Sequence, residues 1–255
     1  MPLKTSPKEE KPAAKSRFSL WQATIDSASG DPRWHAYDCD IQAAVNRFNR
    51  HLTGTPNYYS LDWRLIKAMV WTESGGPTNR AWSSRPIQIG NPGDPGLRAL
   101  FSDKEGGSLI LPQEMKDRLT LATATATPQM NIQAGIAYLL MRLAKFGMAT
   151  VIDATDSKIH EAVVKPGDTF DRIARANGTT VDTLKALNRG MTILRPGQTV
   201  RFQKASVRKV ITRWDPPTPG NIATRYNVGD PDYAKKLEYC LSIIRKAQEK
   251  TTCPE

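Results

Sequence analysis

Leu61-Asp-Trp-Arg-Leu-Ile-Lys-Ala-Met-Val-Trp-Thr-Glu-Ser-Gly-Gly-Pro77 is the stretch that decides the fold and the chemistry. Its pattern predicts a helix from about Leu61 to Ser74, with Ser60 as cap and Asp62 in a first turn where the dipole favours negative charge. Gly75-Gly76-Pro77 ends it. Glu73 follows Val70 and Met69 by three and four residues and Ile66 by seven, so its carboxyl belongs to the apolar face. It also occupies the last turn, where the dipole opposes a negative charge. Both effects hold a carboxyl protonated and raise its pKa. An acid still protonated near neutral pH is what cleavage of a glycosidic bond requires. The alternative for this helix alone is a terminal Glu facing solvent.

The helical pattern extends outward. Ile41, Val45, Phe48 and Leu52 are spaced 4, 3, 4 and predict a helix over about Asp40–Leu52. Residues 77–97 are rich in Pro, Gly, Ser and Asn and read as a long loop of the functional kind. Shorter helices are expected near Gly96–Phe101 and Pro112–Leu121. Thr127 and Pro128 open a strong helix expected to close at Gly147. The last helix is expected to start at Asp230-Pro231 and to bury Tyr233, Leu237, Cys240 and Ile244. The expected class is mainly α.

Several segments lie in the order found in one family. Trp71-Thr-Glu-Ser-Gly75 with Arg85-Pro-Ile-Gln-Ile-Gly-Asn-Pro92 resembles the active-site region of the lysozyme-like soluble lytic transglycosylases. Asn131-Ile132, Gly135 and Tyr138-Leu139 resemble that family's Asn-Ile-x-x-Gly-x-x-Tyr-Leu helix. Arg225-Tyr226-Asn227 with Gly229-Asp230-Pro231 and Tyr233 resembles its Ala-Tyr-Asn loop and following helix. The resemblance covers roughly 39–150 and 208–248. It implies a lysozyme-like fold, Glu73 as catalytic acid/base, and Ser74, Gln88, Asn131, Tyr138, Tyr226 and Asn227 around the substrate. Asn131, Gly135 and Tyr138 share one helix face, and Gly135 would admit a close backbone or sugar. The departures are a short loop between Glu73 and Gln88, Pro86-Ile87 for Leu-Met, Arg85 where the family tends to have glycine, and Arg225 for alanine. In the family one Glu suffices, because the 6-hydroxyl of muramic acid attacks and closes a 1,6-anhydro ring. A hydrolase would use a second carboxylate. Asp94 and Asp103 are the nearby acids, and both read as turn residues. The alternatives are a hydrolytic muramidase of the goose-lysozyme kind and a non-catalytic peptidoglycan-binding protein.

Between the halves of that resemblance the periodicity changes. Glu161–Val164 reads as a strand and Pro166-Gly167 as a turn. Asp168 is expected to cap one short helix and Thr180 a second, and Thr199–Phe202 reads as a closing strand. This βααβ unit resembles a LysM domain through Gly167-Asp-Thr169, Asn177, Asn188 and Gly197-Gln198. Ala162 and Phe170 stand where an aromatic and a leucine are common. The resemblance implies a shallow groove for N-acetylglucosamine-containing glycans, formed by Gly167, Asp168, Thr169 and Phe170 opposite Met191, Ile193, Leu194 and Arg195. The expected organisation is a leader and linker at 1–33, a discontinuous transglycosylase domain at 34–150 and 208–250, an inserted LysM module at 158–204, and a tail at 251–255. A binder tethered to a cutter raises the cutter's local concentration on a shared polymer.

The 255 residues carry a formal net charge of +11. Such a surface is attracted to polyanions, nucleic acid or the anionic bacterial wall. No aromatic–basic motif supports nucleic acid, and no apolar run reaches the ~18 residues of a membrane span. No metal spacing links Cys39, Cys240 and Cys253, and neither metal nor cofactor is expected. One disulfide can form in an oxidising compartment, with Cys39–Cys240 the favoured pairing and three thiols the alternative. Residues 1–17 contain no apolar signal core. The expectation is a protein made in the cytoplasm without a signal peptide and acting at the periplasm or cell wall. Specialised secretion of an antibacterial effector would bring a secretion-system component and an immunity-type inhibitor as partners.

Overall fold

The computed structural model describes residues 16–102, 104–247 and 253. In chain order the elements are α1 (Arg17–Asp26), two 3₁₀ turns (Ser27–Gly30 and Pro32–His35), α2 (Asp38–Leu52), α3 (Trp63–Ser74), α4 (Arg80–Ser84), α5 (Gly96–Phe101), α6 (Gly107–Ile110), α7 (Gln113–Lys116) and α8 (Pro128–Leu143). Then come β1 (Ala144–Ile152), β2 (His160–Val163), α9 (Phe170–Ala176), α10 (Val181–Leu187), β3 (Thr199–Phe202), β4 (Ala205–Trp214), α11 (Pro219–Arg225) and α12 (Tyr233–Lys246). The chain is mainly α with two small two-stranded sheets.

It divides into two units. The first comprises residues 1–54, 58–143 and 215–255; the second comprises 55–57 and 144–214. In the first unit α3 is the central element. Leu65, Ile66, Ala68, Met69, Val70 and Trp71 are all buried, which suits a helix surrounded by others. α12 packs along it, and α2 packs on both α3 and α8. Lys67 is buried on the same helix. Its Nζ donates to Asp38 Oδ2 at 2.7 Å and lies 2.6 Å from His35 Nδ1. A buried ammonium needs such a partner, because an unpaired charge there costs several kcal/mol, of the order of 3–5.

The second unit contains two antiparallel pairs. β2 and β3 pair from His160↔Phe202 to Val163↔Thr199 and pack with α9 and α10 around Val164, Ile173, Ala174, Leu184, Val200 and Phe202. β1 and β4 form a longer ribbon, from Ala144↔Trp214 to Ile152↔Ala205.

Several expectations are corrected. The stretch from 16 to 33 is helical rather than linker: Ser16 Oγ accepts the N–H of Ser19 and starts α1. The expected leader at 1–15 lies outside the described residues. α8 stops at Leu143, and Gly147, expected to end it, sits inside β1. Residues 144–150 and 208–214 therefore join the second unit and not the helical one. The cap of α3 is Asp62, which accepts from Arg64 N–H at 3.0 Å, and not Ser60. α12 begins at Tyr233, so Asp230 lies before it and binds the N–H of Asp232. The disulfide joins Cys39 to Cys253, with Cα atoms 5.3 Å apart, and Cys240 is a free buried thiol. Cys240 faces the core from α12, its sulfur 3.6 Å from Thr72 Oγ1, and burial pushes its pKa up to about 12. Apart from Cys253, the expected tail at 251–255 lies outside the described residues. Among the described residues no helix is long and apolar enough to cross a membrane.

Candidate functional site

Glu73 ends α3 because Gly75 takes the left-handed conformation at φ 69° and returns its N–H to Trp71 O. Gly76, at φ 98°, lies against the Trp34 ring, where no Cβ would fit. The chain then turns through α4 and passes back beneath the Glu73 carboxyl. A cleft of about 320 Å³ opens there, walled by Glu73, the 87–91 segment, Asp94, Tyr138, Tyr226 and Asn227.

Burial of the Glu73 carboxyl is the main cause that raises its pKa from 4.5 to about 7, and the Asp230 charge adds to it. Hydrogen bonds from Tyr233 and Asn227, and the Lys236 charge, pull the other way without cancelling the burial. The Tyr233 hydroxyl donates to Glu73 Oε1 at 2.6 Å. Lys236 Nζ is held 2.7 Å from Asp230 Oδ2, so its charge is largely compensated locally. Near pH 7 the Glu73 carboxyl can therefore give up or take back a proton.

The other expected residues divide into two groups. Gln88, Tyr138, Tyr226 and Asn227 wall the cleft with Glu73. Gln88 sits at φ 53°, an uncommon conformation for a residue with a side chain. Its amide donates to the Glu73 carbonyl, which ties the loop to the end of α3. Tyr226 donates to Ile87 O at 3.0 Å and meets Tyr138 edge to face, ring centroids 5.6 Å apart. Burial raises the pKa of both phenols, so both remain protonated.

Ser74 and Asn131 are placed elsewhere, although substrate contact was expected. Ser74 is buried; its hydroxyl donates to Val70 O at 2.6 Å and accepts the N–H of Gly76 at 3.2 Å. It shapes the helix end. Asn131 is fully buried. Its Oδ1 accepts Ile87 N–H at 3.2 Å, and its Nδ2 donates to Ile89 O at 2.9 Å and Ala124 O at 3.4 Å. It fastens the cleft segment from behind. Gly135 admits no sugar: the Ile87 side chain fills the space its missing Cβ leaves.

Asp94 reaches the cleft, but both oxygens are occupied by backbone, Oδ2 by Gly90 N–H and Oδ1 by Gly96 N–H, each at 2.8 Å. Asp103 lies outside the described residues. Tyr233 was expected only as core. Its place on a buried stripe implied that its hydroxyl needs a partner, but not which one.

In the second unit Thr169, not Asp168, caps α9, its Oγ1 accepting from Arg172 N–H at 3.1 Å. Asp168 Oδ2 instead accepts the N–H of Lys165 at 2.8 Å and closes the turn through Gly167, at φ 81°. Phe170, Met191 and Leu194 are half-buried against the βααβ core. Gly167, Thr169, Ile193 and Arg195 are exposed, Ile193 to 70%.

Residues 162–202 match the family model of the LysM domain, a peptidoglycan- and chitin-binding module. No curated protein matches the chain, and no solved structure does.

Proposed function

We propose that the helical unit is a lytic transglycosylase that cuts the glycosidic bond between N-acetylmuramic acid and N-acetylglucosamine in peptidoglycan. The observation that carries this reading is Glu73, a carboxyl with a pKa of about 7 in a cleft also walled by Tyr138, Tyr226, Asn227 and Gln88. Protonated Glu73 gives its proton to the glycosidic oxygen as the bond to C1 breaks. The resulting carboxylate accepts the proton of the 6-hydroxyl of the same sugar, whose oxygen bonds to C1 and closes the 1,6-anhydro ring. Glu73 ends protonated again, and no water is consumed. Tyr233 steadies the anionic interval by donating to Oε1.

Hydrolysis on the same fold needs a second carboxylate to activate water. Asp94 is the cleft acid nearest in kind, and its two backbone hydrogen bonds suit a loop fastener better than a base. The LysM domain then holds the cutter on its polymer. The proposed place of action is the cell wall, and the Cys39–Cys253 bridge fits an oxidising compartment there. Delivery as an antibacterial effector would add an inhibitor that occupies the Glu73 cleft. Digestion of purified sacculi tests the reading: 1,6-anhydro ends support it, and intact sacculi or reducing ends alone refute it.

A further inference from the structure

The cleft continues past Gln88. Gln88 and Asn91 also line an adjoining depression of about 340 Å³, whose remaining walls are Arg80, Ala81, Ser84 and Arg85. Among the described residues no carboxylate lines it. Arg85 is partly buried and Arg80 exposed, and among the described residues neither guanidinium has a hydrogen-bonding or ion-pair partner. The surrounding groups are already committed. Ser84 Oγ donates to Arg80 O at 3.0 Å, Arg85 N–H to Ala81 O at 2.8 Å, and Gln88 N–H to Arg85 O at 2.9 Å. The backbone that carries Arg85 is thus fixed, while its charged end has no counter-ion among the described residues. Two guanidinium groups in a depression without acid form an acceptor for an anion, and their planar forks match a carboxylate.

We propose that this depression is a carboxylate subsite, and that it takes an acidic group of the peptide carried by the glycan beside the bond at Glu73. The inference rests on the glycan-cleaving reading of the neighbouring cleft. The pyranose rings are neutral, and on a peptide-bearing strand the lactyl carboxyl of muramic acid is consumed in the amide link to the peptide. The free carboxylates of such a strand are therefore those of the peptide. Shared walls at Gln88 and Asn91 place the subsite next to the ring being cut, where such a substituent would emerge. Arg85 is also where the chain departs from the glycine of the transglycosylase resemblance. The subsite therefore favours strands whose peptide carboxyls are free over strands whose peptide carboxyls are amidated.

Calorimetry on the full chain carrying Glu73→Gln, which keeps the ligand intact, tests this. Three ligands are compared: an N-acetylglucosamine–N-acetylmuramic acid disaccharide with its peptide, the peptide-free disaccharide with its lactyl carboxyl capped as the amide, and the peptide form with its carboxyls amidated. The expected result is binding of the first about tenfold tighter than the other two, the scale of one charge-assisted pair. Arg80→Ala with Arg85→Ala should erase the difference and leave the peptide-free affinity unchanged, which also reports that the variant is folded. Arg85→Lys should keep part of it. Equal affinity for the carboxylate and amidated forms, or a preference that survives the double substitution, overturns the subsite. A chain that shows the preference but releases nothing from sacculi keeps the subsite and overturns the cleavage reading.

Discussion

In the proposed reaction Glu73 carries the chemistry, and its burial has a stability signature that can be measured apart from activity. Below about pH 4.5 the carboxyl is protonated in both the folded and the unfolded chain. Between there and about pH 7 the unfolded chain releases the proton and the folded chain keeps it, so this group's contribution falls as pH rises and levels off above pH 7. The full difference is at most about 3 kcal/mol. Glu73→Gln lacks this titration, so its stability relative to the parent should climb between pH 4.5 and 7 in denaturant melts, while lysis falls at least ~10³-fold. A parallel pH dependence in the two proteins would mean the carboxyl is solvated. Tyr233→Phe removes a hydrogen bond that favours the charged form. The alkaline limb of the pH–rate profile should then move to higher pH, and an unmoved or lowered limb would contradict the assigned role. The burial of the Glu73 carboxyl was legible from its place on the apolar stripe of its own helix. Tyr233 was not, since which buried hydroxyl meets which buried carboxyl depends on how α12 docks on α3.

At the scale of elements, the cleft depends on the 87–91 segment being fastened to α8. Asn131→Ala would strip Ile87 N–H and Ile89 O of their buried partner and should cost about 2–4 kcal/mol, with activity falling alongside Tm. Gly135→Ala drives a methyl into Ile87 and should cost about 1–3 kcal/mol, read by thermal melts. A melt unchanged by either substitution would show that the segment is held some other way. The helices at α2, α3, α8 and α12 were readable because a 3.6-residue apolar stripe survives without its partners. The roles of Asn131 and Gly135 were misread because their shared helix face says only that they point one way, and here that face meets protein. The β1–β4 ribbon was missed for a related reason: Leu143-Ala144 continues the apolar run of α8, and nothing in the sequence marks the helix stop that Gly147 was expected to provide. α1 was missed because the run after Arg17 has little amphipathic pattern, and only Ile25 of that helix is buried.

At the scale of the whole chain, the helical unit is discontinuous in sequence and closed by the Cys39–Cys253 bridge across a separation of 214 residues. Removing a link over so long a loop should destabilise by about 2–5 kcal/mol. Reductant should therefore lower the Tm of the parent and not that of Cys253→Ser, while Cys240→Ser should keep the parent's redox sensitivity. A Tm indifferent to reductant in the parent would contradict the bridge. The LysM domain was legible as a unit because its turns are local in sequence, although the cap of α9 fell one residue later than expected, on Thr169. The pairing of the cysteines was not, because Cys253 lies beyond the last helix and its approach to α2 is set by tertiary packing. The central claim, that one buried acid cuts glycan strands without water, is tested most directly by digesting purified sacculi in ¹⁸O-labelled water and weighing the fragments. The account predicts muropeptides with 1,6-anhydro ends and no label at the new terminus. Reducing ends carrying ¹⁸O would contradict it.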